Sequence, residues 1–299
     1  MELTKITVAS TQMACSWDVQ KNIDQAKNLI TQAAKSGAKI ILLQELFERK
    51  YFPQQQKPAY MDFACAMQDD LAVQQLQKLA KDLQVVLPIS FFEKKNTTRF
   101  NSIAIIDADG EILGIYRKSH IPDDVGYEEK YYFTPGNTGF KVWQTKYGKI
   151  GVGICWDQWF PEAARCMALM GADFIFYPSA IGSVPKHPEI NSRDHWQRTI
   201  QGHAAANLIP IVVSNRIGTE TIDDSSIRFY GSAFITDQTG KIVEQADEET
   251  TTALIHTFDM EKIKETRNSW GLFRDRRPDL YQKILTLDGT EKNKQSLKG

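Results

Sequence analysis

Three ionisable side chains follow short runs of residues that are typical of β-strands. Glu45 follows Ile-Ile-Leu-Leu-Gln, Lys118 follows Gly-Ile-Tyr-Arg, and Cys155 follows Ile-Gly-Val-Gly-Ile. In α/β sheets, ligands bind beyond the carboxyl ends of the strands, so these strands would deliver an acid, a base and a thiol to one rim. Polar residues also resume at ordinary strand ends, which explains any one of the three alone. The set together favours a catalytic site.

Cys155 has the most informative surroundings. The stretch from Gly151 to Glu162 predicts a strand, a sharp turn and then a helix that can begin at Pro161. A nucleophile on such a turn is exposed, and neighbouring backbone N–H groups can stabilise an oxyanion. An ammonium such as Lys118 would favour the thiolate, while Glu45 could accept the thiol proton and later activate water. The alternative is a small buried core residue, which the flanking glycines and aromatic residues argue against.

Helix and strand patterns alternate along the chain, which predicts α/β architecture. We predict helices at 22–36, 70–83, 162–170 and 194–207, and buried strands at 39–43, 85–89, 150–154, 174–177 and 209–214. Residues 102–106 and 112–117, joined by Asp-Ala-Asp-Gly, form a predicted hairpin. A similar stretch begins at Ser232, which favours two similar halves with two sheets packed face to face and helices outside.

The composition fits one soluble globular protein of 299 residues, with 42% hydrophobic and 24% charged positions and a formal net charge of −1. No Pro/Gly/Ser-rich linker divides the sequence, so we predict one domain over residues 1–285 and a polar tail at 286–299. The absence of a basic stripe argues against nucleic acid as a partner. The N-terminus does not resemble a signal peptide and no apolar run approaches the ~20 residues that cross a bilayer, so we expect no membrane partner and a cytoplasmic location.

Neither the cysteines nor the histidines predict a metal site. The four cysteines form no Cys-x-x-Cys pair, so we expect reduced thiols. His195 and His203 share a predicted helical face, but they lie roughly 12 Å apart along the axis, too far to bind one ion. We therefore expect neither a metal nor another cofactor.

Three segments resemble the motifs of the nitrilase superfamily of carbon–nitrogen hydrolases. They are Leu43-Gln-Glu-Leu-Phe47, Tyr116-Arg-Lys-Ser-His-Ile-Pro122 and Gly151 to Glu162, in that order, and the resemblance extends over almost the full length. It implies an α/β fold built as a four-layer αββα sandwich. It also implies assembly into a homodimer or a larger homo-oligomer.

The same resemblance implies a catalytic triad at Glu45, Lys118 and Cys155. A second active-site glutamate of the family falls on Glu129, within the stretch Tyr-Glu-Glu-Lys-Tyr-Tyr-Phe-Thr-Pro-Gly. This residue would position Lys118 or the substrate nitrogen. Glu128 is the adjacent alternative.

Three further segments are similar to the branch of the family that hydrolyses N-carbamoylputrescine in polyamine biosynthesis. They are Cys155 to Arg165, Asp194 to His203 and Ala206 to Gly218. The resemblance implies hydrolysis of this carbamoylated amine to putrescine, carbon dioxide and ammonia through a covalent cysteine intermediate. Val184 departs from the pattern, which would have Glu there, and substrate preference could have drifted accordingly.

The residues after the nucleophile indicate a cationic substrate. Relatives that cleave N-carbamoyl amino acids need cations for the carboxylate, and the resemblance places arginines just after their nucleophile. This chain has Trp-Asp-Gln-Trp there, and an aromatic slot with nearby acids suits an alkyl ammonium group. The predicted substrate contacts are Trp156, His120, Asp157, Trp159 and Ser179. For Trp159, core packing is an equal alternative, as is a structural hydrogen bond for His120.

Other functions remain open from the sequence. The nearer alternative is another carbon–nitrogen hydrolase, such as an ω-amidase, a ureidopropionase-like enzyme or a nitrilase. From a different class, the chain could be a catalytically silent scaffold on the same fold, although the intact Glu45, Lys118 and Cys155 argue against it. A cysteine protease is disfavoured because no histidine takes the place of the general base.

Overall fold

The computed structural model describes residues 4–185, 187 and 189–290. The strands are β1 (Lys5–Met13), β2 (Ile40–Leu42), β3 (Leu87–Lys95), β4 (Thr98–Ile106), β5 (Ile112–Arg117), β6 (Val142–Thr145), β7 (Gly148–Val152), β8 (Phe174–Pro178), β9 (Ile211–Arg216), β10 (Thr219–Ile222), β11 (Ser225–Arg228), β12 (Phe234–Thr236), β13 (Ile242–Gln245) and β14 (Thr252–Asp259). The α-helices are α1 (Val19–Lys35), α2 (Leu71–Leu83), α3 (Glu129–Tyr132), α4 (Pro161–Leu169), α5 (Arg193–Asn207) and α6 (Met260–Trp270). Short 3₁₀ helices are Phe52–Gln54, Pro58–Phe63, Met67–Asp69, Cys155–Trp159, Pro278–Leu280 and Gln282–Leu285.

Two sheets repeat one order of strands. In the first, β14 is antiparallel to β1, β1 is parallel to β2, and a parallel bridge from Ile40 to Val86 leads to the antiparallel strands β3, β4 and β5. In the second, β6 is antiparallel to β7, strands β7, β8 and β9 are parallel, and β12 and β13 are antiparallel. The last two residues of β1 also pair with the last two of β9, which joins the sheets. This is the predicted arrangement of two similar halves.

Three buried apolar clusters separate four layers. The first lies between α1 and α2 and the outer face of the first sheet, as in the packing of Ile30 and Ile89. The second fills the space between the sheets and includes Ile103 and Phe176. The third packs α4 and α5, including Ile200, against the second sheet. The layers therefore run helix, sheet, sheet, helix, and the predicted αββα sandwich is confirmed.

Most predicted elements lie within a few residues of the observed ones. The helix expected to start at Pro161 does so, and strands β2 and β8 are apolar and buried on both faces, as predicted. The predicted strand at 150–154 instead ends at Val152, and a 3₁₀ helix precedes α4. Over the described ranges, no helix combines the length and apolar character needed to cross a bilayer. The boundary at residue 285 stays a prediction, and residues 291–299 of the proposed tail lie outside the described residues.

Two buried carboxylates meet at the start of α2. Asp70 caps this helix by accepting a hydrogen bond from the Val73 N–H at 2.9 Å, and Glu48 accepts one from the Ala72 N–H at 3.3 Å. Burial, followed by the neighbouring Asp70 charge, raises the pKa of Glu48 to about 8, although the guanidinium of Arg49 acts in the opposite direction. The folded protein therefore holds a proton on Glu48 at pH values where the unfolded chain releases it.

We expect Glu48→Gln to change the pH dependence of stability. A raised carboxyl pKa contributes stability that is present below pH 4.5 and is lost as the pH rises towards 8. Glutamine cannot ionise, so the variant should gain roughly 3–4 kcal/mol relative to the parent between pH 5 and pH 8.5. Urea denaturation at both pH values measures this change. If the two proteins differed in free energy of unfolding by the same amount at pH 5 and pH 8.5, Glu48 would not be protonated in the folded protein as proposed.

Candidate active site

The three predicted catalytic residues meet at one end of the two sheets. Glu45 lies three residues beyond β2, Lys118 directly follows β5, and Cys155 lies three residues beyond β7. Glu45 and Lys118 have no exposed surface, and Cys155 retains 8% exposure. The first sheet thus supplies the carboxylate and the ammonium, and the second supplies the thiol.

Lys118 lies between two buried carboxylates. Its Nζ is 2.9 Å from Glu45 Oε1 and 2.7 Å from Glu129 Oε2. Asn101 Nδ2 also donates to Glu45 Oε1, at 2.6 Å, and the Tyr51 hydroxyl donates to Glu129 Oε1, at 2.5 Å. Within the described part of the chain, Glu45 Oε2 is buried without a hydrogen-bond partner. One oxygen of Glu45 is therefore held by donors while the other is free to take a proton.

The protonation states follow from burial and charge. Burial acts to lower the pKa of Lys118, but the carboxylates of Glu129 and Glu45 outweigh it and place the pKa above its ordinary value. Burial, partly offset by Lys118, raises the pKa of Glu129 to about 7. Burial and then the Glu45 carboxylate raise the pKa of Cys155 well above its ordinary value, against the opposing effect of Lys118. Lys118 alone therefore does not make a resting thiolate, and the thiol needs a base.

The backbone at Cys155 adopts a conformation that is unusual for a residue with a side chain. Its φ is +42°, in the left-handed region, and the Ala180 N–H donates a hydrogen bond to the sulfur. The buried Asp157 supports this turn by accepting from the Ile154 N–H at 2.9 Å and from the Tyr116 hydroxyl at 2.7 Å. These hydrogen bonds to Asp157 hold the turn in place, as expected for a strained position at a functional site.

The two candidate glutamates occupy different environments. Glu129 begins α3 and is fully buried against Lys118. Glu128 instead accepts a hydrogen bond from Gln56 Nε2 at 2.7 Å on the exposed side of the segment. The geometry therefore favours Glu129 as the second active-site glutamate.

A cleft of about 370 Å³ leads from the surface to Cys155 and Glu129. This volume suits a small molecule. The other residues that line it are Pro122, Asp123, Asp124, Tyr127, Trp156, Trp159, Ala180, Ile181, Gly182, Val184, Ile190, Ser192 and His195. Aromatic and aliphatic groups form most of the wall, and Asp123 and Asp124 are exposed.

The family model for carbon–nitrogen hydrolases matches residues 7–268. The chain belongs to the carbon–nitrogen hydrolase family. This match spans most of both sheets and all three residues of the predicted triad, so the resemblance to the nitrilase superfamily is confirmed.

Related proteins match this hydrolase over nearly its whole length. It is 56% identical to N-carbamoylputrescine amidase from Arabidopsis thaliana over 95% of this chain and 97% of the relative. It is 52% identical to a citrullinase from Francisella tularensis subsp. tularensis over 95% and 99% of the respective chains. The crystal structure of a carbon–nitrogen hydrolase from Helicobacter pylori G27 superimposes with a TM-score of 0.88 at 38% identity, covering 95% and 99%.

Two of the five predicted substrate contacts of the hydrolase lie at the cleft. Trp156 and Trp159 line it, their ring centroids 6.1 Å apart, and the Trp156 side chain is 40% exposed. His120 stacks on a phenylalanine ring and bonds to the buried Asp157 through Nδ1 at 2.7 Å. Ser179 is buried and donates to a glutamine side chain. His120, Asp157 and Ser179 therefore support the turn beneath the cleft and do not line the cleft.

The sequence pattern missed three residues that complete the hydrolase site. Tyr51 and Asn101 hold the two carboxylates, and Tyr127 forms part of the cleft wall. Tyr127 stands in the same stretch as Glu129, which is a signal that could have identified it. Tyr51 and Asn101 have no comparable signal, since each lies outside the recognised motifs.

Proposed function

We propose that this hydrolase converts N-carbamoylputrescine and water into putrescine, carbon dioxide and ammonia. The observation that carries the proposal is the buried Glu45–Lys118 pair beside Cys155 at the base of a small aromatic and acidic cleft. The Arabidopsis relative bears the corresponding name at 56% identity. A scaffold without activity would have no use for a buried, strained thiol with a free carboxylate oxygen beside it.

In the first half of the reaction, Glu45 accepts the thiol proton of Cys155, and the sulfur forms a bond to the ureido carbon. Glu45 Oε2 suits this task because the bonds from Asn101 and Lys118 both reach Oε1. The Lys118 ammonium and the Trp156 backbone N–H stabilise the oxyanion. One C–N bond then breaks, the departing nitrogen receives the proton from Glu45, and a thioester-like carbonyl remains on Cys155.

In the second half, water replaces the departed nitrogen group. Glu45 takes a proton from this water, whose oxygen attacks the carbonyl carbon. The C–S bond breaks, and the Cys155 sulfur recovers its proton from Glu45. The remaining carbamate or carbamic acid yields carbon dioxide and the second nitrogen product. Glu129 keeps the Lys118 ammonium oriented throughout, with Tyr51 bound to its other oxygen.

The charges of the cleft support an ammonium group on the substrate. The described residues that line it include Asp123, Asp124 and Glu129 but no lysine or arginine. Glu129 is paired with Lys118, so an alkyl ammonium is attracted by the exposed carboxylates of Asp123 and Asp124 and by the face of an exposed tryptophan such as Trp156. A substrate carboxylate would find no positive partner among these groups.

Citrulline is a second candidate substrate. The chain is 52% identical to the Francisella citrullinase, and citrulline also carries a ureido group on an alkyl chain. It differs by a carboxylate beside the amine. Val184 lies in the cleft wall, so the acid that the family pattern would place there is absent from this surface. Asp123 and Asp124 therefore carry the electrostatic preference that we propose for the diamine.

A substrate panel tests this proposal. Ammonia release is measured with N-carbamoylputrescine, citrulline, N-carbamoyl-β-alanine, an ω-amide and an aliphatic nitrile. We expect kcat/KM for N-carbamoylputrescine to exceed that for citrulline by ~100-fold, because the carboxylate of citrulline finds no lysine or arginine among the described residues of the cleft. Faster turnover of citrulline, of a neutral amide or of the nitrile would reassign the substrate.

The acidic rim is tested by Asp123→Asn combined with Asp124→Asn. We expect kcat/KM for N-carbamoylputrescine to fall about 10-fold through loss of Coulomb attraction. N-butylurea has the same ureido group without the amine and should be unaffected. Asp82→Asn on the exposed side of α2 serves as the control variant. An equal fall in kcat/KM with both substrates would show that Asp123 and Asp124 do not recognise the amine.

We further propose that the protein assembles as a homodimer or a larger homo-oligomer. Exposed apolar side chains near the end of α4 and in the C-terminal segment support this proposal. They include Leu169, Met170, Trp270, Ile284 and Leu285. Burying such groups against another copy is favourable. Sedimentation velocity showing only a monomer at micromolar concentration would contradict the assembly.

A further inference from the structure

A fully buried arginine contacts the segment that carries Glu45. Arg216 is the last residue of β9, and its Nη2 donates to the backbone carbonyls of Glu45, at 3.0 Å, and of Leu46. Its Nη1 donates to the Arg49 carbonyl at 2.8 Å and to Glu220 Oε1 at 2.9 Å. One guanidinium therefore binds three carbonyls in a span of five residues.

The counter-charge of this arginine holds the far end of the same segment. Glu220 lies in β10 with 2% exposure, and its Oε2 accepts a hydrogen bond from the Tyr51 N–H. The Tyr51 hydroxyl in turn bonds to Glu129. The Arg216 guanidinium also lies 5.8 Å from the Tyr51 ring centroid and 5.7 Å from that of Phe229. The Arg216–Glu220 ion pair is thus hydrogen-bonded to both ends of the segment 45–51.

The segment adopts a conformation that needs such support. Leu46 has a φ of +48°, which side-chain-bearing residues rarely adopt, and its N–H is held by Ser90 Oγ at 2.9 Å. At this bend, the consecutive carbonyls of Glu45 and Leu46 both accept from Arg216 Nη2. A planar guanidinium presents several N–H groups in a fixed fork, whereas a lysine ammonium does not.

We propose that Arg216 and Glu220 are positioning residues for the reaction, acting through Glu45 and Tyr51. The proposal rests on the proposed role of Glu45 as the base. By fixing the Glu45 carbonyl, the arginine fixes the backbone from which this side chain reaches Lys118. By fixing the Tyr51 amide, Glu220 fixes the ring whose hydroxyl holds Glu129. Neither residue lines the cleft, so the pair acts on the rate and not on substrate binding.

Arg216→Lys and Glu220→Gln test the inference. We expect kcat to fall about 30-fold for Arg216→Lys and about 5-fold for Glu220→Gln, with KM unchanged within about 3-fold. The glutamine keeps one acceptor oxygen and so can retain one of the two hydrogen bonds, and the three bonds from Arg216 to backbone carbonyls remain, which explains the smaller loss. Ile30→Ala, in the core behind the first sheet, is the control for loss of stability and should retain kcat.

A double-mutant cycle separates positioning from a structural role. If Arg216 acts through Glu45, then Arg216→Lys should cause little further loss in a Glu45→Gln background. The cycle uses the substrate that the substrate panel identifies. Turnover by the wild-type protein therefore tests the proposed function, and the ratios of kcat between variants test the roles of Arg216 and Glu220. Additive losses, a rise confined to KM, or losses proportional to the unfolded fraction in both variants would overturn the inference. If Arg216→Lys does not fold, Glu220→Gln is combined instead with Tyr51→Phe, the residue through which it acts, and should cause little further loss there.

Discussion

Cys155→Ser should lower kcat by at least ~10⁴-fold while leaving the fold intact. A hydroxyl is far less acidic than a thiol, so Glu45 cannot generate an alkoxide as it generates the thiolate. The substitution replaces sulfur by the smaller oxygen and keeps the shape of the side chain, so we expect the fold to persist. Ammonia release with N-carbamoylputrescine measures the loss, and circular dichroism checks the fold. Near-normal turnover by this variant would exclude the covalent mechanism.

The matched control for this prediction is Cys166→Ser. Cys166 is an exposed thiol on α4 and lies away from the cleft lining, so its replacement should leave kcat unchanged. Mass spectrometry after an acid quench adds a direct test. The parent protein should carry an adduct on the peptide that contains Cys155, whereas Cys155→Ala should show none. An adduct found only on Cys166 would show that Cys166, and not Cys155, is the nucleophile.

Lys118→Met should affect both activity and stability. It removes the ammonium that orients the oxyanion, and we expect kcat to fall by at least ~10³-fold. It also leaves Glu45 and Glu129 buried without their counter-charge, which should lower the free energy of unfolding by about 3–5 kcal/mol at pH 8. The loss should be smaller at pH 5. Burial already raises the Glu129 pKa to about 7, so at pH 5 this carboxyl is protonated and uncharged.

Urea denaturation at pH 5 and pH 8 measures this pH dependence. The control is the double variant Lys118→Met with Glu129→Gln, which removes one of the two facing charges. It should recover stability at pH 8 without recovering activity. A stability loss of the same size at both pH values would contradict the buried ion cluster, and recovery of activity in the double variant would contradict the role of Lys118.

The sequence predicted the triad because strand ends are local features. Glu45, Lys118 and Cys155 each follow a short apolar or glycine-containing run, and the sandwich places those strand ends together. The alternation of buried strands and helices likewise predicted the layers. The hairpin β10–β11 and helix α6 were not predicted. In β10–β11 two of the four buried positions are the polar residues Glu220 and Ser225, and in α6 only Ile263 is buried, so both patterns are weak.

The substrate contacts were harder to predict because a 3₁₀ helix replaces the expected turn. This helix has about three residues per turn, so Trp156 and Trp159 fall on one face and reach the cleft. Asp157 falls on another face and caps the turn from below. Asn101 lies outside the recognised motifs, and Arg216 lies within the segment Ala206 to Gly218 but contacts residues about 170 positions away along the chain. Their roles depend on tertiary contacts that no local pattern encodes.

The division of the site between two sheets has a consequence during protein synthesis. Glu45 and Lys118 leave the ribosome well before Cys155, and β14, which completes the first sheet, emerges later still. An incomplete chain therefore holds an acid and an ammonium without a nucleophile, or a cysteine that has not yet met its base. Glu45, Lys118 and Cys155 come together only when the two sheets pack against each other. We therefore expect a nascent chain that stalls before β14 to lack hydrolase activity, because its first sheet is incomplete.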